Sequence, residues 1–304
     1  MNGRRSGFAL LTVLWLIAAA SAIALAGSLV ARDGVGIASN RIRSERARWL
    51  AAGCLDRARA AADLALANAK REGTTLVMWR RLDRNVLESP LVTAQPCRID
   101  VSAAGSRLDV NAADASLLAR AFALMGLTNA QALANRVVDW RDADDVAEPD
   151  GAEVDWYVQR ERHPPRNGPI ADIHEVGRIA GFEQIAQLDS VLGIEPGRIA
   201  LNSAPLTVLR AVPGFTDELV ARLTTERAAG RDVVDVLAVA GGVSPAATDS
   251  VIAHYPEITR MTTSTPDAWT IATRSGRDPE AAVADARLVL GDGAAMMTRR
   301  STWY

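Results

Sequence analysis

The chain is poor in the side chains from which many active sites are built. Lysine occurs once, at Lys70, so nearly all basic charge is carried by arginine. The three histidines, His163, His174 and His254, are scattered without the spacing that brings two imidazoles to one metal ion. There is no glycine-rich phosphate loop and no Gly-x-Ser-x-Gly elbow. A zinc site, a hydrolytic triad and nucleotide chemistry therefore lack support. Cysteine occurs twice, at Cys54 and Cys97. In an oxidising compartment the two could pair, and otherwise isolated cysteines serve as small buried hydrophobes. The formal net charge of -2 gives no general attraction for nucleic acid or anionic lipid. With 304 residues, 49% of them hydrophobic, the chain has material for one sizeable core or two modest ones.

What the chain does have is a long apolar run. Residues 8–31 contain no charged side chain, and about 20 residues of helix already cross a bilayer core. Arg4, Arg5 and Gly7 precede the run. Three readings are open: a secretion signal cut near Gly27 after small residues, a permanent anchor, or a cut between Gly7 and Phe8 that removes a charged leader and keeps the apolar helix. Continuity favours keeping it. No proline interrupts the chain down to Lys70, and Val35, Ile42 and Trp49 recur every seven residues, as in one unbroken helix.

Farther along, residues 97–110 alternate apolar and polar on both sides of Gly105-Ser106, which predicts a β-hairpin. Residues 111–260 read as helical with proline and glycine punctuation, and strand-like segments return over residues 268–275, 282–291 and 294–304. A helical block inserted between strands of one small sheet is an α+β arrangement. Within the block, VNAADASLL (residues 110–118) recurs as LNSAPLTVL (residues 201–209), each followed by a glycine turn and a second helix. This predicts two helix-turn-helix repeats, with Asn111 and Asn202 as N-caps of the helices that follow. The second repeat also resembles the helix-hairpin-helix modules of DNA-binding proteins, where a helix N-terminus holds a phosphate. Here that turn carries Asp217 and Glu218 and no lysine, which opposes such binding.

The stretch DWRDADDVAEPDGAEVDWY (residues 139–157) crowds Asp139, Asp142, Asp144, Asp145, Glu148, Asp150, Glu153 and Asp155 together. Such crowding is costly unless a positive charge sits among the oxygens. Calcium, with six to eight hard oxygen ligands from a flexible loop, fits this chemistry, though the spacing is not that of an EF-hand. The other reading is a solvated acidic loop neutralised by Arg136, Arg141 and Arg160.

The basic leader, Gly7, Phe8 and the apolar run resemble the signal of type IV pilins and type II secretion pseudopilins, which a prepilin peptidase cuts after the glycine before the new N-terminus is methylated. Most members carry glutamate at the fifth mature position, where this chain has Thr12; the K-type minor pseudopilins typically lack it. They also carry a DW-D-DD turn followed by GAE-D-Y, matched here by Asp139-Trp140, Asp142, Asp144-Asp145, Gly151-Ala152-Glu153, Asp155 and Tyr157, and the segment NGPIADIHEV (residues 167–176) is similar too. The resemblance, over roughly residues 3–273, implies a pilin-like α+β fold: a long N-terminal transmembrane and amphipathic helix on a small antiparallel sheet, with a large inserted α-domain. It implies a leader over residues 1–7, a transmembrane segment over 8–31, a pilin-like helix and first strands over 32–110, the α-domain over 111–260, and closing strands over 261–304. It implies calcium at Asp142, Asp144, Asp145, Glu153 and Asp155, and no catalytic residues. The expected role is that of a non-enzymatic minor pseudopilin, anchored in the inner membrane with its bulk in the periplasm, capping the pseudopilus tip. I-type and J-type minor pseudopilins and other tip pseudopilins are the expected partners, and nucleic acid is not. The alternatives are an anchored periplasmic DNA-binding protein and, further off, an anchored calcium-dependent enzyme.

Overall fold

The computed structural model describes residues 5–185, 187–276, 281–291 and 294–303; the first four residues of the expected leader lie outside these. One helix, α1 (Arg5–Glu72), runs from the expected leader through the apolar segment and far beyond it, with Gly7 and Phe8 in its first turns. It ends where Gly73 takes a positive φ of 71°: the amides of Gly73 and Thr74 turn back to the carbonyls of Lys70 and Ala69 and satisfy the last turn. Among the described residues α1 is the one helix long and apolar enough to cross a membrane.

From Ala47 onward one face of α1 is buried. Ala47, Ala51, Leu55, Ala58, Ala62 and Leu66 recur at three- and four-residue spacing, and the alanines let a sheet approach the helix backbone closely. Thr273 Oγ1 donates to the Ala51 carbonyl (2.8 Å) and Ser275 Oγ to that of Ala47. Three short helices, α2 (Thr75–Arg80), α3 (Leu82–Leu87) and α4 (Pro90–Thr93), fold back over α1 and lead to β1 (Arg98–Ala103). Cys54 and Cys97 form a disulfide with Cα atoms 6.4 Å apart. It closes a loop whose entropy in the unfolded chain corresponds to about 4 kcal/mol.

The expected hairpin is not what forms. After β1 the chain turns at Gly105 (φ 80°), but β2 (Leu108–Asp109) does not pair with β1. The turn is pressed against another segment: a Cβ on Gly105 would stand 1.7 Å from the Arg198 carbonyl oxygen. The chain is diverted into the inserted block, and β1 finds its partner only after the block ends.

The block contains α5 (Ala115–Leu124), α6 (Ala130–Arg141), α7 (Val154–Val158), β3 (Leu192–Gly193), β4 (Ile199–Ala200), α8 (Leu206–Ala211), α9 (Asp217–Ala228), α10 (Val236–Ala240), α11 (Pro245–Ala253), α12 (Tyr255–Met261) and β5 (Thr262–Thr263). Then come β6 (Trp269–Ser275), β7 (Ala282–Gly291) and β8 (Ala294–Trp303). The main sheet is antiparallel in the order β1-β6-β7-β8, so strands from before and after the block are neighbours. A core of α1–α4 and the sheet is distinct from a second core running from Leu108 to Ile258 inside the block. Among the described residues every core residue lies at Ala47 or beyond, so a chain beginning near Arg32 keeps both of these cores whole.

The two repeats are present and extend further than the sequence suggested. Each starts from a two-residue strand, β2 or β4, paired in parallel with a later one, β3 or β5. Asn111 and Asn202 are not N-caps: Asp114 caps α5 by accepting from Leu117 (2.8 Å), and Pro205 occupies the cap of α8. Both asparagines lie too far ahead of their helices to cap them. Each instead mimics a peptide group. Asn111 accepts from the amide of Ile170 (2.8 Å) and donates to its carbonyl (3.0 Å), and Asn202 does the same with Val233 (2.7 and 3.0 Å). Two residues after each partner an aspartate, Asp172 or Asp235, caps the next helical turn. Residues 142–169 of the first repeat correspond to only residues 228–232 of the second, and the acidic stretch is thus an elaboration of the first repeat.

Candidate metal centre

The acidic loop is laced to α6 from one side. Asn135 Nδ2 donates to the Pro149 carbonyl (2.8 Å) and Arg136 Nε to that of Asp150 (3.1 Å). One helical turn on, the fully buried Asp139 accepts from the amides of Glu148 (3.0 Å) and Ala152 (2.6 Å). Gly151 is required there, because a Cβ would stand 1.9 Å from Asp139 Oδ2. Trp140 Nε1 donates to Glu175 Oε1 (3.0 Å), and the Trp140 ring meets Tyr157 edge-on at 5.3 Å. Tyr157 in turn accepts the Ala180 amide at its hydroxyl (3.0 Å). Asp139, Trp140, Gly151, Ala152 and Tyr157 of the DW…GAE-D-Y signature thus form the scaffold that fixes the loop.

That scaffold brings Asp139, Asp142 and Glu153 together, one carboxylate oxygen of each lying within 4.8 Å of the others. Of the sequence-derived ligands, Asp142 and Glu153 are in this cluster. Asp144, Asp145 and Asp155 are exposed. Asp144 accepts from the Val146 amide, and Asp145 accepts from Asn167 Nδ2 (2.8 Å). Asp139 belongs to the crowded carboxylates of the sequence but not to the expected ligands; its place on the buried face of α6 is what brings it inside. Asn167, which holds the loop through Asp145 and the Asp144 carbonyl, could have been noted in the NGPI segment.

The electrostatics of the cluster would suit a cation. Glu153 is 5% exposed, yet both of its carboxylate oxygens, along with Asp142 Oδ1 and Asn167 Oδ1, are buried without a hydrogen bond. Burial, reinforced by Asp139, Asp142 and Asp145, pushes the Glu153 carboxyl up to about 7; the Val154 amide offsets a small part of this without forming a hydrogen bond of ordinary geometry. Asp142 and Asp139 are pushed up as well, in both cases mainly by burial. The nearby arginines offset this charge only in part: Arg136 and Arg141 favour the ionised Asp139 and Asp142 by their charge but spend their hydrogen bonds on carbonyls, and Arg160 lies over the Trp156 ring at 4.2 Å. Among the described residues none of the three forms an ion pair with a carboxylate of the loop. Clustered, orphaned hard oxygens with raised pKa values fit a divalent cation of calcium type.

The second hairpin is arranged differently. Glu218 accepts from the amide and hydroxyl of Ser244, Arg210 pairs with Asp217 (2.8 Å), and Gly214 packs so tightly on α11 that a Cβ would lie 2.8 Å from His254 Cβ. The turn that would hold a phosphate is packed against the protein and flanked by carboxylates.

Comparison with known proteins places this geometry in context. Residues 91–192, from the start of α4 region to β3, match the family model described as type II secretion system (T2SS), protein K. A chain of the GspK-GspI-GspJ complex from the enterotoxigenic Escherichia coli type 2 secretion system has a similar structure, with a TM-score of 0.65 at 16% identity over 88% of this chain and 99% of that one. No curated protein matches the chain. The structural likeness shows the fold, pilin-like α+β with a helical insertion, and the likeness to the protein K family model is confined to residues 91–192.

Proposed function

We propose that the chain is a K-type minor pseudopilin that caps the tip of the periplasmic pseudopilus and helps to start its assembly. The observation that carries this reading is the helical block between β1 and β6, whose first repeat lies within the stretch matched by the protein K family. The family is a structural component of a secretion machine, and the chain is read as non-enzymatic. Residues 8–31 anchor it in the inner membrane after prepilin peptidase removes residues 1–7, and the disulfide fits an oxidising periplasm. The similar solved chain belongs to a complex with GspI and GspJ, and by analogy I-type and J-type minor pseudopilins are the partners here.

Calcium is the second part of the proposal. Asp142 and Glu153 hold it with Asp139 behind them, and Asp144, Asp145 and Asp155 add to the negative field. Bound calcium supplies the positive charge that the loop lacks and makes the first repeat a rigid body. Its role is to stabilise the fold.

A fragment beginning near Arg32, mixed with the I-type and J-type subunits, is expected to elute as a stable ternary complex on size-exclusion chromatography. Separate elution of the three would overturn the partner assignment. Protein taken from its native membrane should have an intact mass that begins at an N-methylated Phe8. A chain beginning at Gly27 would instead establish an ordinary signal peptide.

A further inference from the structure

The two repeats differ at one place in a way that leaves a positive charge without a counterion among the described residues. Arg141 is surrounded by Asp109, Asp114 and Asp142, each of which stabilises its charge. The corresponding positions around Arg227 are Ala200, Pro205 and Ala228. Among the described residues Arg227 donates to the carbonyls of Leu201 and Ala204, which leaves part of its five-donor fork unused. Burial alone pushes its pKa down to about 10.

Arg227 lines a small pocket of about 80 Å³ at the seam between α2–α3 and the second repeat, together with Arg80, Arg81, Arg84, Arg231 and Ser203. The pocket also includes Asp83 and Asp232, but Asp232 is bound to Arg81 (2.8 Å). Arg231 is held by Glu226, and Arg80 donates to Thr265 Oγ1 (3.0 Å). Arg84 is exposed at the rim and makes no ion pair among the described residues. Ser203 Oγ is buried and has no hydrogen-bond partner; its counterpart in the first repeat is Ala112. A buried hydroxyl without a partner and a half-buried guanidinium without a counterion are each unfavourable. One group that accepts hydrogen bonds and carries negative charge relieves both. The volume is several times the roughly 10–15 Å³ that one water requires, leaving room for a compact group.

We propose that this pocket is an oxyanion site, in which a carboxylate or phosphate group is held by Arg227, Arg84 and Ser203 and does for the second repeat what three aspartates do for the first. Two sources share this chemistry: a small inorganic anion, and a carboxylate presented by a neighbouring chain. The site lies apart from the acidic loop and does not depend on the secretion reading.

The test uses the full chain in detergent micelles, titrated with sodium phosphate or sodium acetate at constant ionic strength. A site that binds only the folded state raises the melting temperature saturably. Binding is expected to weaken about tenfold or more in Arg84→Ala, the loss of one charge-assisted hydrogen bond. Ala228→Asp places a carboxylate where Asp142 stands beside Arg141, and is expected to raise the melting temperature without added anion and to remove the phosphate response. Saturation by acetate as well as phosphate assigns the pocket to a carboxylate such as a partner side chain presents, and saturation by phosphate alone assigns it to a free anion. No saturable response to either, or responses unchanged in both variants, overturns the proposal.

Discussion

Arg141 and Arg227 close the two repeats in the same way: each reaches back from the end of the second helix to the carbonyls of the residue before the repeat's asparagine and of the residue two after it. For Arg141 these are Val110 and Ala113, and for Arg227 they are Leu201 and Ala204. The arginine and the asparagine together pin the start of each repeat to its end. Arg227→Ala in the fragment beginning near Arg32 is expected to cost at least about 3 kcal/mol, since charged hydrogen bonds contribute about 1.5–3 kcal/mol each. Arg227→Lys should recover only part of this, because an ammonium lacks the planar fork that spans two carbonyls. Urea unfolding measures both. A loss below about 0.5 kcal/mol, as at an ordinary surface site, would remove the closing role.

The ligand set gives the second expectation. Chelation should lower the melting temperature of the fragment, calcium should restore it, and magnesium should substitute poorly because it demands tighter octahedral geometry. Glu153→Gln and Asp142→Asn should abolish the calcium response. Asp155→Asn, on an exposed position of α7, should leave most of it. Calorimetry that found calcium binding untouched in Glu153→Gln would show that the buried cluster is not the centre.

The third concerns pH, and its sign follows from Glu153. Its carboxyl is raised from the usual 4.5 to about 7 in the folded chain, so between these values the folded state binds more protons than the unfolded state. Without calcium, stability is therefore expected to fall as pH rises through that window. Asp139 and Asp142, also raised, act in the same direction. Saturating calcium should flatten or reverse the slope, because the ion favours the ionised carboxylates. Melting curves of the chelated fragment from about pH 5 to about pH 8 test this, and a slope of the opposite sign would contradict the cluster's electrostatics.

Much of this molecule was legible in the sequence, and the limits of that reading have physical causes. The unbroken α1, the three closing strands and the paired glycine turns announce themselves through local pattern. The partner of β1 did not, because residues 98–103 carry the alternation of a strand but nothing that says which strand completes it; the turn at Gly105 pointed to a neighbour and the chain delivered one more than 160 residues later. The asparagines were placed at the right positions with the wrong partners, since Ile170 and Val233 lie beyond any local window. The acidic stretch was visible as a concentration of charge. Which carboxylates face inward depends on Asp139, whose side chain is aimed by the buried face of α6 and appears in the sequence as one more aspartate in a row.

The final expectation concerns the exposed stripe on α1 and the place of the subunit in a filament. Val35, Ile42 and Trp49 are 69%, 69% and 77% exposed on a helix whose buried face begins only at Ala47, and an apolar stripe of this kind suits packing against neighbouring helices. Ile42→Asp and Trp49→Glu should leave the fragment's stability within about 0.5 kcal/mol and abolish the ternary complex. The stripe alone would permit stacking of identical copies, but two other features oppose it. The inserted block stands out from the helix-and-sheet unit as a second core, and Thr12 stands where the pilins that the N-terminus resembles carry the glutamate that pairs with a neighbour's N-terminal amine within the apolar bundle. A subunit at the top has no such amine above it, so threonine is harmless there. Thr12→Glu, by contrast, would bury a carboxylate without a partner, at a cost that such a group always incurs in an apolar setting. Incorporation of Thr12→Glu into filaments is expected to fall relative to the parent chain. Counting labelled subunits should find this chain at one end of each filament; copies along the shaft in numbers like those of the major pseudopilin would refute the tip position.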